Sequence, residues 1–240
     1  MKYHRFHNLD EEVCSVDCEI GKDNLEDVEV DKEVCFVNCE VGKEDLVVLP
    51  NCVRTLTVEG CHDLKSLSNI SLFCEANELK TCTIGWCEGI ECMVDLSLSS
   101  YNSLQNIEVL SLRSLSNLHE LVKGRVAVVS TSHTPAPPAI FLSLKKFHLI
   151  RCSSIKNLFS VQLSRGLQNL EYIEVNRCEK MEKIIASEEE EENHRGEERS
   201  PKITTYVFPK LQTLHLIKLP ELKSICSSGV MVPANSLQYL

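Results

Sequence analysis

A sparse hydrophobic pattern recurs six times along the chain. Each copy has a hydrophobic residue, two spacers, a hydrophobic residue, one spacer, a hydrophobic residue, two spacers and then Cys or Leu. Two more hydrophobic residues follow at three-residue steps, so that the fourth copy reads Leu144, Phe147, Leu149, Cys152, Ile155, Leu158. Such self-similarity predicts an array of stacked units, because one short unit cannot bury its own hydrophobic face.

The spacing of the copies identifies the kind of array. They start at Val53, Leu79, Ile107, Leu144, Leu170 and Leu211, and a seventh begins at Leu237. Three intervals are 26 residues, one is 28, and two are longer than 26 by 11 and 15 residues. Leucine-rich repeats have periods of roughly 20–29 residues. The pattern therefore predicts an α/β leucine-rich-repeat solenoid, curved, with a parallel sheet on the concave face and short helices, 3₁₀ turns and loops on the convex face.

The two halves of each unit differ in period. The first half alternates apolar and polar residues, as in Thr55–Glu59 and Tyr172–Asn176, which favours a short strand with one buried face. The second half steps its apolar residues by three, which suits a turn, a 3₁₀ segment or a short helix. Residues 160–167 are the best candidate for a true helix on the convex side.

Two regions interrupt or precede the regular array. The long intervals hold a proline-bearing stretch, 129–139, and a glutamate-rich one, 187–205, so insertions are expected at about 122–142 and 187–205. Residues 1–50 contain a near-duplication, 12–21 against 33–42, with an offset of 21. The predicted organisation is an irregular β-rich segment or degenerate repeats over 1–50, and the repeat array over 51–240.

Charge and hydropathy exclude several classes of protein. The net charge is −10, of which residues 1–50 carry −9 and residues 188–199 carry −5, leaving +4 for the rest. An acidic excess argues against nucleic-acid binding, which needs a basic face. No apolar run of about 18 residues could span a membrane, and the N-terminal residues lack the apolar region of a secretory signal.

The 13 cysteines are explained by the repeat rather than by disulfides. Cys61, Cys87, Cys152 and Cys178 share one slot after the strand, where a small thiol can donate weakly to a backbone carbonyl. We expect these to be reduced core residues. A zinc site from the pairs Cys14/Cys18 and Cys35/Cys39 has permitted spacing, but the internal duplication accounts for the pairs without metal.

No catalytic constellation is found in the sequence. It contains no nucleophile elbow, phosphate-binding glycine loop, His-Glu-x-x-His segment or paired carboxylates. We therefore predict no catalytic residues, no cofactor and no metal. The remaining candidate site is the outward surface of the predicted sheet, whose mixture of polar, charged and apolar residues is typical of protein recognition. The predicted partner-binding residues are Thr57, Thr83, Ser111, His148, Glu174 and His215 in a central column, flanked by Lys146, Tyr172, Arg113, Ile150 and Asn176.

The amino-acid sequences of the repeats are more specific than the general pattern of a leucine-rich repeat. Residues 144–159 (LKKFHLIRCSSIKNLF) and 169–185 (NLEYIEVNRCEKMEKII), the acidic insertion, and then 208–214 (FPKLQTL) and 219–226 (LPELKSIC) occur in this order. In these phrases the chain resembles the C-terminal leucine-rich repeats of plant nucleotide-binding disease resistance proteins of the coiled-coil class. The resemblance covers about residues 50–240.

The resemblance implies a recognition module of a cytoplasmic immune receptor, with a nuclear pool possible in that family. Its partner would be a pathogen effector, a guarded host protein or the nucleotide-binding switch domain of the same receptor. Nucleotide binding itself is not implied, because neither the phosphate-binding loop nor coiled-coil heptads are found. We expect the chain to be part of a receptor, and the alternative is a generic repeat scaffold or substrate adaptor.

Overall fold

The computed structural model describes residues 33–38, 53–67, 77–96, 102–124, 140–186, 205–226 and 230–231, and every structural statement below concerns these ranges. Within them the chain forms thirteen strands, numbered here in chain order. Seven have the alternating sequences expected for half-buried strands and build the main sheet: β1 Glu33–Val37, β2 Thr55–Glu59, β3 Thr81–Gly85, β5 Val109–Arg113, β7 Lys146–Ile150, β9 Tyr172–Asn176 and β12 Thr213–Ile217.

The main sheet is parallel throughout, with the order β1-β2-β3-β5-β7-β9-β12. Each strand pairs with the next without a shift, so that Leu56, Cys82 and Leu110 are direct neighbours across three strands. Residues of alternate position point into one continuous core, and Leu56, Val58 and Cys82 are fully buried there. The zero-shift register follows from the repeat, because identical apolar positions must meet on the same side of the sheet.

A residue with left-handed backbone conformation directly follows every strand of the main sheet. Asn38, Gly60, Trp86, Ser114, Arg151, Arg177 and Lys218 all have φ between 50° and 66° and directly follow their strands. This conformation turns the chain away from the sheet. After β2 and each later strand of the main sheet, the residue after the left-handed one packs into the core, which places the predicted cysteine slot at the turn.

The four cysteines of that slot behave as predicted. Each is fully buried and lies within hydrogen-bond distance of two backbone carbonyl oxygens. The Cys87 thiol donates to the oxygen of Gly85 at 3.1 Å and lies 3.8 Å from that of Val58 in the preceding repeat. Cys61, Cys152 and Cys178 have the same arrangement, with distances of 3.5–4.0 Å. The eight described cysteines are all free thiols, as expected for reduced core residues.

Burial should protect these thiols from alkylation. Desolvation raises the pKa of Cys152 to about 12 and that of Cys178 to about 11, so the reactive thiolate is scarce at pH 8. We expect iodoacetamide to modify half-buried Cys35 about tenfold faster than Cys152 in the folded protein. Peptide mass spectrometry after timed labelling measures both rates, and denatured protein serves as the control in which the difference disappears. Equal rates in the folded protein would contradict the assigned burial.

The second half of several repeats forms short strands on the other side of the core. These are β4 Cys92–Asp95 with β6 Glu120–Lys123, β8 Asn157–Phe159 with β10 Lys183–Ile185, and β11 Thr205–Tyr206 with β13 Val230–Met231, each pair parallel. The sequence indicated turns and helical segments here, and these strand pairs are an added feature. Pairing between these strands provides hydrogen-bond partners for backbone N–H and C=O groups in the second half of the repeats, which the main sheet does not pair.

The helix expected at 160–167 is confirmed. Helix α1 spans Val161–Gly166, and the Ser160 hydroxyl caps it by accepting from the backbone N–H of Leu163 at 3.1 Å. A 3₁₀ turn, Asn102–Asn106, precedes β5. The described residues include the two ends of the first predicted insertion, 122–124 and 140–142.

Some predictions concern residues outside the described ranges. These are the duplication at 12–21, most of both insertions, the seventh repeat at Leu237, and the four-cysteine zinc alternative except Cys35. The strand β1 lies within the duplicated region 33–42 and pairs with β2 in the same parallel, unshifted register as the later repeats.

Candidate surface for protein recognition

The face of the main sheet that points away from the core, called the open face here, presents three columns of side chains. The central column contains Cys35, Thr57, Thr83, Ser111, His148, Glu174 and His215. The first column contains Glu33, Thr55, Thr81, Val109, Lys146, Tyr172 and Thr213, and the third contains Val37, Glu59, Gly85, Arg113, Ile150, Asn176 and Ile217. All the candidate residues selected from the sequence thus lie on one surface, in the predicted columns.

One candidate is less accessible than its position in the sequence indicates. Ser111 is only 6% exposed, although its neighbours Thr83 and His148 in the column are partly exposed. The Arg113 side chain folds back over it, and the Arg113 Nε donates to the Ser111 hydroxyl at 3.2 Å. Ser111 therefore supports Arg113 rather than offering its own surface.

His148, Tyr172, Glu174 and His215 form a connected group at the C-terminal end of the open face, called the aromatic–acid cluster here. The Nδ1 of His148 lies 3.0 Å from the Oε2 of Glu174. The Tyr172 hydroxyl lies 3.4 Å from the same oxygen and 3.1 Å from the Nδ1 of His215. The Tyr172 ring stands 5.1 Å from the His148 ring and 5.3 Å from the His215 ring, which it meets edge-on. These contacts hold four side chains from three strands in one arrangement.

The carboxylate of Glu174 is the electrostatic centre of this cluster. Its partial burial acts to raise its pKa, but the hydrogen bond and charge of His148, with hydrogen bonds from Asn176 and Tyr172, outweigh burial and leave the pKa below its ordinary value. Burial of the phenol and, after it, the same carboxylate raise the pKa of Tyr172. Glu174 is thus held ionised, with Tyr172 protonated. Asn176, which supports Glu174, has a buried Oδ1 without a hydrogen-bond partner among the described residues, an arrangement that costs free energy.

The depressed pKa of Glu174 makes its contribution to stability pH-dependent. A carboxylate whose pKa is lower in the folded state stabilises the fold above its unfolded pKa, and this contribution is lost as pH falls through the folded pKa. We expect Glu174→Gln to lower the free energy of unfolding by about 1 kcal/mol at pH 7 and to have no effect once pH falls below the folded pKa. Urea denaturation of both proteins between pH 7 and pH 3 measures this difference. A difference that persists unchanged to pH 3 would contradict the role of the ionised carboxylate.

Trp86 is a surface residue that the sequence analysis did not select. It follows β3 at the end of the open face, has φ of 52° and is 50% exposed. Tryptophan is enriched among residues that dominate protein–protein binding energy. The available signal was that this is the one tryptophan in the chain and that it stands outside the apolar repeat pattern.

Two other kinds of feature, a metal-binding group and a membrane-spanning helix, are absent from the described residues. Within those ranges no group of three or more His, Cys, Asp or Glu side chains is placed to hold a metal ion. A search of the same ranges also finds no helix with the length and apolar character needed to cross a membrane.

One parallel strand per repeat, left-handed turns and an inward cysteine or leucine after each strand from β2 onward define a leucine-rich-repeat solenoid with an exposed sheet face. The family model for the leucine-rich repeats of plant disease resistance proteins of the RPS2-like kind matches residues 120–240. The chain belongs to this family of plant disease resistance leucine-rich repeats, which confirms the resemblance seen in its repeat phrases.

Two curated relatives from Arabidopsis thaliana are similar to the chain. Disease resistance protein RPS5 is 27% identical over 155 residues, which cover 60% of this chain and 16% of that protein. Probable disease resistance protein At4g27220 is 27% identical over 207 residues, covering 77% of this chain and 21% of that protein. The chain therefore spans about a fifth or less of the length of these relatives. No solved structure matches it.

Proposed function

We propose that the open face of the main sheet is the protein-recognition surface of a plant intracellular immune receptor. It binds a pathogen effector or a guarded host protein, and contacts from the repeats restrain the nucleotide-binding switch domain of the same receptor. The module itself is non-catalytic. The family match and the names of the two relatives support a role in disease resistance.

The observation that carries this proposal is the aromatic–acid cluster. Its members do not contribute to the core, since they lie on the face opposite it, with side-chain exposures of 26% for His148 and 19% for Glu174. Partly exposed aromatic and charged side chains held in a fixed arrangement lose little conformational entropy on binding, which favours recognition. Ile150 and Ile217, partly exposed beside the cluster, add apolar area to the same surface.

Affinity capture with matched variants tests the proposal. The full chain, tagged, is incubated with extracts of infected and uninfected leaf tissue, and bound proteins are quantified by mass spectrometry. We expect Tyr172→Ala and His148→Gln each to reduce recovery of a specific partner about tenfold or more, as removal of a central contact does. His119→Gln is the matched control, because His119 is exposed but precedes β6 on the other side of the core.

The fold of each variant is checked by its urea denaturation midpoint. A partner recovered equally with wild type, His148→Gln, Tyr172→Ala and His119→Gln would not be binding at the open face, and the proposal would fail. Loss of the partner with His119→Gln alone would place recognition on the opposite side and would also refute it.

A further inference from the structure

Three neighbouring turns carry cations at the same structural position. The left-handed residue is Arg151 after β7, Arg177 after β9 and Lys218 after β12, and all three are exposed. The turns are hydrogen-bonded to one another, from the Arg151 N–H to the Asn176 oxygen and from the Arg177 N–H to the Ile217 oxygen, both at 2.9 Å. Adjacent strands lie about 4.8 Å apart, so the three cations form a row. With Arg113, the last residue of β5, this row is called the basic edge.

No carboxylate neutralises the basic edge within the described residues. Arg113, Arg151, Arg177 and Lys218 have no ion-pair partner there; the acids of the neighbouring turns, Glu179 and Glu221, are exposed and lie beyond ion-pair distance. Some cations elsewhere in the array are paired across repeats: Lys145 lies 2.7 Å from Glu108, and Lys223 contacts Glu182. Unneutralised like charges at this spacing repel one another.

The backbone makes these positions unfavourable for Arg and Lys in a second way. Glycine adopts the left-handed conformation without steric cost, and Gly60 occupies this slot after β2. Arg151, Arg177 and Lys218 point outward and therefore contribute nothing to the core. Asn38, Trp86 and Ser114 share the left-handed cost, but at these three neighbouring residues it coincides with unneutralised like charge, and unrelieved cost of this kind is typical of functional positions.

The surface beside the basic edge indicates the class of ligand. The third column of the open face runs alongside it, with Ile150, Asn176 and Ile217 partly exposed. Partly exposed isoleucine side chains next to a row of cations complement a peptide that has both carboxylates and apolar side chains. A polyphosphate chain has no apolar group for the isoleucines to contact, so a peptide that carries both carboxylates and apolar side chains fits this surface better.

We infer that the basic edge binds an acidic segment of the protein partner, with the partner's apolar side chains on Ile150 and Ile217. This inference rests on the proposed function, because it names the chemistry of the partner that the open face recognises. The carboxylates would neutralise the row of cations, and the binding would weaken as salt screens the charges.

A defined peptide tests the inference without knowledge of the natural partner. The probe is a fluorescein-labelled peptide of repeated Glu-Glu-Leu units, titrated with the full chain by fluorescence anisotropy. We expect the double variant Arg151→Ser/Arg177→Ser to bind it about tenfold more weakly than wild type, through loss of two charge-assisted contacts. Serine occupies the same left-handed slot at Ser114, so the substitution is compatible with the turn. The glutamine version of the peptide should not bind.

The matched control is Lys65→Ser/Lys123→Ser, which removes the same charge from exposed residues on the other side of the core. If both double variants weaken binding equally, the change in net charge alone accounts for the effect, and the inference is overturned. Tighter binding of a single-stranded oligonucleotide than of the peptide would overturn it in favour of nucleic acid.

If the basic-edge variant binds the peptide like wild type while Tyr172→Ala still abolishes partner capture, this inference alone fails. If the basic-edge variant weakens binding of the peptide but Tyr172→Ala and His148→Gln do not reduce recovery of the partner, the proposed function alone fails.

Discussion

Replacing Gly89 with alanine should lower the free energy of unfolding by about 3 kcal/mol, at the upper end of the usual cost of forcing atoms into packed structure. A Cβ atom at this position would lie 2.0 Å from the backbone oxygen of His62 and 2.9 Å from that of Leu64. Both atoms belong to the backbone of the preceding repeat, so no side-chain rotation can relieve the overlap. The two repeats would have to separate.

The surroundings of Gly89 give the chain little freedom to adjust. The turn formed by Glu88 and Gly89 is linked to both neighbouring repeats: the Glu88 N–H lies 3.5 Å from the His62 Nδ1, and the Asn117 amide donates to the Glu88 oxygen at 2.8 Å. Moving the turn to accommodate a methyl group would disrupt contacts on both sides. Because each repeat depends on its neighbours, the cost extends beyond the altered turn.

Gly85 provides the matched control in the same repeat. A Cβ atom there would meet only the Arg113 oxygen at 3.7 Å and Glu59 side-chain atoms at 3.8 Å, which are ordinary contacts. We expect Gly85→Ala to change the free energy of unfolding by about 0.5 kcal/mol or less, since alanine also reduces the freedom of the unfolded chain. Urea denaturation followed by circular dichroism compares the two variants. Similar midpoints for Gly89→Ala and wild type would contradict the close approach of the repeats.

Repeat periodicity could not have predicted the requirement for glycine at position 89. The corresponding residues in other repeats are Asp63, Asn117, Ser154, Lys180 and Glu221, so the pattern does not require glycine at this position. The requirement comes from how closely this turn approaches the preceding one. Distances of that kind depend on the stacking of particular loops, and a pattern of apolar spacing carries no information about them.

The columns of the open face, in contrast, were predictable. Thr57, Thr83 and His148 fall in one column because apolar neighbours on either side must point into the core and alternate residues must then point outward. The cysteine slot and the helix after Ser160 were predictable for similar reasons. The contact of His148 with Glu174 and the burial of Ser111 beneath Arg113 were not, because side-chain rotamers decide them.

The second large effect is expected at the aromatic centre of the core. Phe159 packs edge-on against Phe147, with ring centroids 5.3 Å apart, and against Phe208 at 5.5 Å. The three rings are at most 1% exposed and belong to β7, to β8 and to the segment before β12. Phe159 thus connects the main sheet with the short strands of the other layer.

Phe159→Ala should therefore lower the free energy of unfolding by about 4 kcal/mol, because it removes buried apolar atoms and leaves a cavity between two rings that other strands hold in place. Phe159→Leu, which keeps most of the volume, should cost about 1.5 kcal/mol. Urea denaturation of both variants gives the comparison. Because Phe147 and Phe208 each lose their shared partner in Phe159→Ala, a double variant that also carries Phe208→Ala should cost less than the two single changes added together. Strict additivity would show that the rings do not form one packed group, and that the two layers are joined by other contacts.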